Sequence, residues 1–98
     1  MWVLREQGRE EGGLLFRLTR GSVRTVGRAP RADFIVDASL VSRLHCRLTV
    51  RQDGGLEIED LDSTNGTYVN GKKIDRAELN DGDQLGVGRV TFRVEKLH

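Results

Sequence analysis

The chain has 98 residues, 16 Lys and Arg against 15 Asp and Glu, 12 Gly and one Cys, and 37% of it is hydrophobic. This length supports one modest core, so we expect a single domain over residues 1–98, without a second domain to hold a cofactor. The formal net charge of +1 argues against general nucleic-acid binding, which depends on a surplus of Lys and Arg.

Apolar and polar residues alternate in several stretches of the chain, which is the pattern of half-buried β-strands. The clearest stretches are residues 14–19, 46–51, 56–59 and 90–95. Pairs rich in Gly and Asn separate them, and these residues tolerate the positive φ angles of tight turns. Many short strands without βαβ alternation predict an all-β sandwich of about eleven strands, with its functional loops at one end.

Smaller features along the chain carry their own predictions. Trp2 is expected to pack in the core or at the edge of the first strand. Residues 38–48 have apolar positions at helical spacing, and we expect at most one turn of helix there. Asn70-Gly71 predicts a hairpin. Gly86-Val87-Gly88 predicts a turn before the last strand, since neither a third Gly nor a βαβ unit completes a nucleotide fingerprint.

Three polar clusters interrupt the strand pattern and together indicate an anion site: residues 27–28, 42–45 and 62–67. Arg28 offers a fixed fork of donors that suits phosphate oxygens, and the hydroxyls of Ser42 and Thr64 add short, adjustable hydrogen bonds. The amide of Asn65 is both donor and acceptor, so it can bind the main chain of an extended peptide.

Each of these residues also has a structural interpretation. Arg28 alone reads as a solvated surface side chain. Ser42 is a preferred residue for capping the short helix considered above. Asn65-Gly66 is a strong hairpin dipeptide in its own right.

The order of the clusters resembles a known family. Gly27-Arg28, Ser42-x-x-His45 and Asn65-Gly66, followed by residues 67–71, are similar to the signature of the forkhead-associated (FHA) domain. The resemblance extends over residues 14–94. It implies an FHA-like β-sandwich of eleven strands that binds phosphothreonine peptides through loops at one end, a class of Arg-based readers of phosphorylated motifs.

The resemblance assigns three roles to residues of this chain. The residues that it implies for phosphate binding are Arg28, Ser42 and Thr64. Those that it implies for contact with the peptide are Arg43 and Asn65. Those that it implies for holding the loops in shape are Gly27, His45 and Gly66.

The sequence favours a binding module over an enzyme. Ser42 and His45 lack a third group to orient the imidazole, and no oxyanion-binding element is recognisable. His45, Cys46 and His98 do not form a ligand set, so we expect no metal and no cofactor.

The expected partner is a phosphothreonine-containing protein or peptide in signalling, bound by a monomer that contacts neither nucleic acid nor membrane. A phospho-independent interaction or oligomerisation domain is the alternative, and it would use a different face. The single Cys allows no internal disulfide, and no apolar run approaches the roughly 18 residues of a membrane span. Residues 1–15 are too charged for a signal peptide, so we expect an intracellular location, cytoplasmic or nuclear.

Overall fold

The computed structural model describes residues 1–9 and 11–97, and these residues form eleven β-strands. The strands are β1 Trp2–Glu6, β2 Leu15–Leu18, β3 Val23–Gly27, β4 Phe34–Ile35, β5 Cys46–Val50, β6 Leu56–Asp60, β7 Thr67–Val69, β8 Lys72–Ile74, β9 Arg76–Leu79, β10 Gln84–Val87 and β11 Val90–Lys96. The all-β prediction and the expected number of strands are therefore confirmed.

The strands form two sheets. The six-stranded sheet has the order β2-β1-β11-β10-β7-β8, and the five-stranded sheet has the order β4-β3-β5-β6-β9. Neighbouring strands are antiparallel except for β3 and β4, which run parallel. Because β6 and β7 belong to different sheets, the segment that joins them crosses from one sheet to the other.

The core lies between the two sheets and is built by the predicted alternation. Leu48 faces Ile58 across β5 and β6, and both side chains are fully buried. Phe92 and Val94 fill the corresponding place on β11. Each buried aliphatic side chain contributes about 1.5–3 kcal/mol through removal of apolar surface from water.

Two of the smaller predictions, for Trp2 and for residues 38–48, are confirmed. Trp2 is 4% exposed and donates its indole N–H to the Gly54 carbonyl at 2.8 Å. Residues 38–41 form one turn, closed by a hydrogen bond from the Val41 N–H to the Ala38 carbonyl, and the described residues contain no helix.

The turn predictions divide. Asn70-Gly71 is a hairpin between β7 and β8 with φ of 52° and 81°, as predicted. The prediction for Gly86-Val87-Gly88 is wrong in its extent, because Gly86 and Val87 lie inside β10 and the turn begins at Gly88. Gly86 pairs with both Thr91 and Tyr68, so its place is at the centre of the sheet.

Four connections meet at one end of the sandwich: residues 28–33, 36–45, 61–66 and 88–89. The last of them, the turn between β10 and β11, lies against the second, because a side chain on Gly88 would come 2.9 Å from the Leu40 carbonyl oxygen. No helix of the described residues is long and apolar enough to cross a membrane.

Candidate functional site

The end of β3 lies directly against the connection before β5. A Cβ atom on Gly27 would stand 2.0 Å from the Arg43 carbonyl oxygen, so only glycine permits this approach. The Arg28 and Ala29 N–H groups then donate to the carbonyls of Ser42 and Arg43, at 3.0 and 3.1 Å. These bonds fix the backbone of Arg28 beside Ser42, while the guanidinium remains exposed.

Ser42 connects two of the loops. Its Oγ accepts a hydrogen bond from the Thr64 N–H at 3.0 Å, which leaves the hydroxyl proton available for an outside acceptor. Its own N–H donates to Nδ1 of His45 at 3.0 Å. The Ser42 hydroxyl therefore has a defined position at the boundary between residues 36–45 and 61–66.

His45 is fully buried beneath this boundary. Since Nδ1 accepts the Ser42 N–H, Nε2 carries the ring proton and donates to the Gly66 carbonyl at 2.8 Å. Both ring nitrogens are thus used by backbone groups of two different loops. Neither nitrogen is bonded to the Ser42 hydroxyl, so the pair lacks the contact of a nucleophile with its base.

The loop of residues 61–66 is organised around Asp60, which the sequence analysis did not identify. Its carboxylate accepts hydrogen bonds from the Ser63 N–H at 3.1 Å, from the Ser63 hydroxyl and from the Thr67 hydroxyl at 2.7 Å. The Ser63 Oγ in turn accepts the Gly66 N–H at 3.0 Å. Burial acts to raise the pKa of Asp60, but the hydrogen bonds from Ser63 and Thr67 outweigh it and hold the pKa below its ordinary value.

The remaining predicted residues lie at the rim. Thr64 and Asn65 are exposed, and the Asn65 Nδ2 donates to the Leu40 carbonyl at 3.1 Å, which orients the amide. Arg43 is exposed and lines a shallow hollow with Arg28. Asp37 lies on the wall of the same hollow.

The structure therefore brings all three sequence clusters to one end of the sandwich. Ser42 caps no helix, and Asn65-Gly66 lies in the crossing between the sheets instead of a hairpin, so neither structural alternative describes these residues. Gly66 has a φ of 87°, which explains the glycine at that place. Within residues 1–9 and 11–97 no group of three His, Cys, Asp or Glu could hold a metal, and His98 lies outside the described residues.

What the arrangement can do chemically follows from its charges. Two guanidinium groups, Arg28 and Arg43, stand at the rim without an ion pair to any described residue. The same end of the sandwich also carries neutral hydrogen-bonding groups, which are the hydroxyls of Ser42 and Thr64 and the amide of Asn65. Such a set suits a small dianion attached to an extended chain.

Comparison with known proteins agrees with this geometry. The model of the family described as "FHA domain" matches residues 24–88, which include all three clusters. The chain belongs to the FHA domain family. Among curated proteins, the chain is similar to the ABC transporter ATP-binding/permease protein Rv1747 of Mycobacterium tuberculosis. The two are 44% identical over 79 residues, which cover 81% of this chain and 9% of that protein.

Solved FHA domains have the same architecture. The FHA domain of the CT664 protein from Chlamydia trachomatis superposes with a TM-score of 0.92 at 28% identity, covering 99% of this chain and 98% of that one. An FHA domain solved in a study of phosphothreonine-dependent FHA interactions has a TM-score of 0.86 at 31% identity, covering 99% and 97%. This FHA chain spans about half or less of the length of the first curated relatives it matches.

Proposed function

We propose that this FHA domain binds phosphothreonine-containing segments of partner proteins in signalling. The observation that carries the proposal is the junction of Arg28, Ser42 and Thr64, where the backbone of an exposed Arg is fixed beside a serine whose hydroxyl is held by a backbone N–H. The phosphothreonine-dependent interactions named for the FHA domain at 31% identity support the same function.

In this proposal the phosphate is bound by charge and by several hydrogen bonds together. A phosphate monoester brings about −1.5 to −2 charges and three acceptor oxygens at neutral pH. Arg28 supplies a paired donor, Ser42 supplies its free hydroxyl proton, and Thr64 supports them. Charge-assisted bonds of this kind are roughly twice as strong as neutral ones.

The peptide chain lies beside the phosphate and is bound by Asn65 and Arg43. The Asn65 amide donates to the Leu40 carbonyl, and this bond fixes the orientation of the amide before the peptide binds. Its oxygen can then accept a peptide N–H. Arg43 contacts the peptide from the hollow that it shares with Arg28.

Gly27, His45 and Gly66 support the site from below. Through His45, the backbone of Ser42 is joined to the carbonyl of Gly66, so the two loops are connected before any peptide arrives. Loops that are already ordered lower the entropic cost of binding, which suits micromolar affinity for a short peptide.

The test is a titration with one peptide in three forms: phosphothreonine, phosphoserine and unphosphorylated threonine. We expect measurable affinity for the phosphothreonine form and none for the unphosphorylated form. Equal affinity for all three forms would refute the proposal and favour a phospho-independent interaction domain.

Arg28→Ala gives the matching residue-level test. Loss of one charge-assisted contact, worth about 1.5–3 kcal/mol, should weaken phosphopeptide affinity by about tenfold to a hundredfold or more. Arg76→Ala, at an exposed Arg on β9, is the control and should bind as the wild type does. A folded Arg28→Ala protein with unchanged affinity would show that Arg28 is not the phosphate ligand.

The proposed setting is intracellular. Cys46 is buried and unpaired, as expected of a domain that functions in a reducing compartment where kinases phosphorylate its partners.

A further inference from the structure

The outer face of the six-stranded sheet carries an uneven charge. Its outward positions follow from the register, because they alternate with the buried residues of each strand. The cations among them are Arg5, Arg17, Lys73 and Arg93, and the carboxylate is Glu95. The net charge of these strand positions is thus more positive than that of the whole chain, which is +1.

The outer face of the five-stranded sheet is different, because its charges neutralise one another. Arg47 is paired with Glu59, and Arg51 is bonded to Glu57 and Glu78 at 3.3 and 2.6 Å. These charged side chains are therefore paired with one another on the surface of that sheet.

Arg93 is the central cation of the first face. It lies directly opposite Arg5 in the β1–β11 register, an arrangement of like charges that disfavours the sheet. Arg5 is bonded to Glu95 at 2.8 Å, whereas Arg93 has no ion pair among residues 1–9 and 11–97. An acidic group from outside would relieve this repulsion.

A polar hollow stands beside Arg93. Its walls include the side-chain amides of Gln7 and Gln84, both of which can donate to a carboxylate. Asp83 also lines it and brings one negative charge, and its two oxygens accept hydrogen bonds from the Asn70 side chain at 3.0 Å and the Asn80 N–H at 2.8 Å. The Gln7 Nε2 already donates to the Arg5 carbonyl at 3.0 Å, so the donors left without an acceptor among the described residues are the Arg93 guanidinium, the Gln84 amide and the second N–H of Gln7.

A second hollow adjoins the first and shares Gln84 with it. Its floor is Gly86, which leaves no side chain at the centre of the sheet, and its sides include Tyr68 and Thr91. The ring of a half-buried Tyr next to a bare strand offers a contact for an apolar or aromatic side chain. Gln84 and Gly86 are two residues apart on β10, a spacing of about 7 Å.

We propose that this face is a second docking surface, which binds an unphosphorylated acidic segment of a protein partner. An Asp or Glu of the segment enters the hollow at Arg93, and an apolar or aromatic residue two places away covers Gly86 beside Tyr68. The two-residue spacing of an extended segment matches the distance between the hollows.

The face suits a protein segment better than a polyanion. Its cations are few and are separated by Gln, Thr and Gly, whereas binding of a nucleic acid depends on a dense series of phosphate contacts. The fixed hollow over Gly86 adds a shape requirement that only a side chain satisfies.

The experiment selects short random peptides without phosphate, displayed on phage, against the whole chain. We expect enrichment of Asp or Glu two positions from an apolar or aromatic residue. A synthetic peptide of the selected sequence should lose about tenfold or more in affinity when Arg93→Glu is introduced. Gly86→Val, which fills the second hollow, should also weaken binding.

The matched control is Arg76→Glu, which reverses an exposed charge on the other sheet and should leave the selected peptide's affinity unchanged. Thermal melting of each variant verifies its fold, and the phosphothreonine titration on the same proteins separates this surface from the loop site. Selection without acidic enrichment, or equal binding by Arg93→Glu, would overturn the proposal. So would Arg93-dependent binding to phosphatidylserine vesicles or duplex DNA in place of the selected peptide.

Discussion

Gly27 is the residue at which the end of β3 lies against the connection before β5. The sequence identified it through its place before Arg28, whereas the reason for a glycine is visible only in three dimensions. The space that a side chain would need is occupied by the Arg43 carbonyl.

Gly27→Ala should therefore destabilise the domain although the φ of Gly27 is not positive. The added Cβ would meet the Arg43 carbonyl oxygen at 2.0 Å and its carbon at 2.7 Å, so the backbone must move. We expect a loss of about 1–3 kcal/mol in urea unfolding and weaker phosphopeptide binding. Gly13→Ala is the control, since its Cβ would have no neighbour closer than 3.6 Å; equal effects of the two changes would contradict the argument.

Asp60 supports the site from within the loop and could not have been found from the sequence. An Asp at a strand end has the pattern of a solvated residue or a turn residue. Its role depends on the chain folding back so that Ser63 and Thr67 both point at one carboxylate.

Asp60→Asn should lower stability at neutral pH by about 1–3 kcal/mol, because it removes the charge that accepts these bonds. The folded pKa of Asp60 lies below its unfolded value, so the carboxylate's contribution is present above about pH 4 and is lost as the pH falls through the folded pKa. Urea unfolding of both proteins from pH 7 to pH 2 measures this. A difference that stays constant over the whole range would argue against the carboxylate's role.

At the scale of the strands, the alternation of apolar residues predicted where most strands lie but not which strands pair with one another. The patterns at residues 46–51 and 56–59 are local, whereas the order β2-β1-β11-β10-β7-β8 depends on contacts between distant parts of the chain. Gly86 shows the limit of local reasoning. Glycine usually signals a turn, but this one lies in the middle of a sheet because the strand continues through Val87.

The β7–β8 hairpin gives a prediction about backbone conformation alone. Gly71 has a φ of 81°, and a Cβ there would touch nothing within 4 Å. Gly71→Ala should then cost about 1 kcal/mol of stability through backbone strain, measured by urea unfolding. Phosphopeptide affinity should not change, because neither turn residue, Asn70 nor Gly71, belongs to the loop site; a large loss of affinity would contradict that separation.

At the scale of the whole molecule, the sequence predicted the net charge but not its distribution. A shift of one residue in the register would exchange the two faces of a strand. Placing Arg5, Arg93 and Lys73 on one surface therefore requires the strand pairing itself. The net charge of the chain is near zero, although the outer face of one sheet has an excess of cations and charged side chains on the other sheet are paired with one another.

Cys46 reports on the opening of the entire fold. Burial, and secondly the nearby Asp60 carboxylate, raise the pKa of the Cys46 thiol to about 12. At pH 8 the native protein should not react with a disulfide reagent such as DTNB, and labelling should proceed only as fast as the molecule unfolds. The variant Ser39→Cys, at an exposed position, is the positive control. Equally fast labelling of Cys46 would mean that the core opens locally.

The contact between Gly88 and the Leu40 carbonyl has a consequence for partners that carry both proposed features. Leu40 also orients Asn65 in the loop site, and Gly88 borders the hollow over Gly86, so the two proposed surfaces share this contact as part of their boundary. A partner with a phosphothreonine and an acidic segment on one chain would make its second contact intramolecularly. Its apparent affinity would then depend on the length of the linker between them, with an optimum where the linker just spans the boundary.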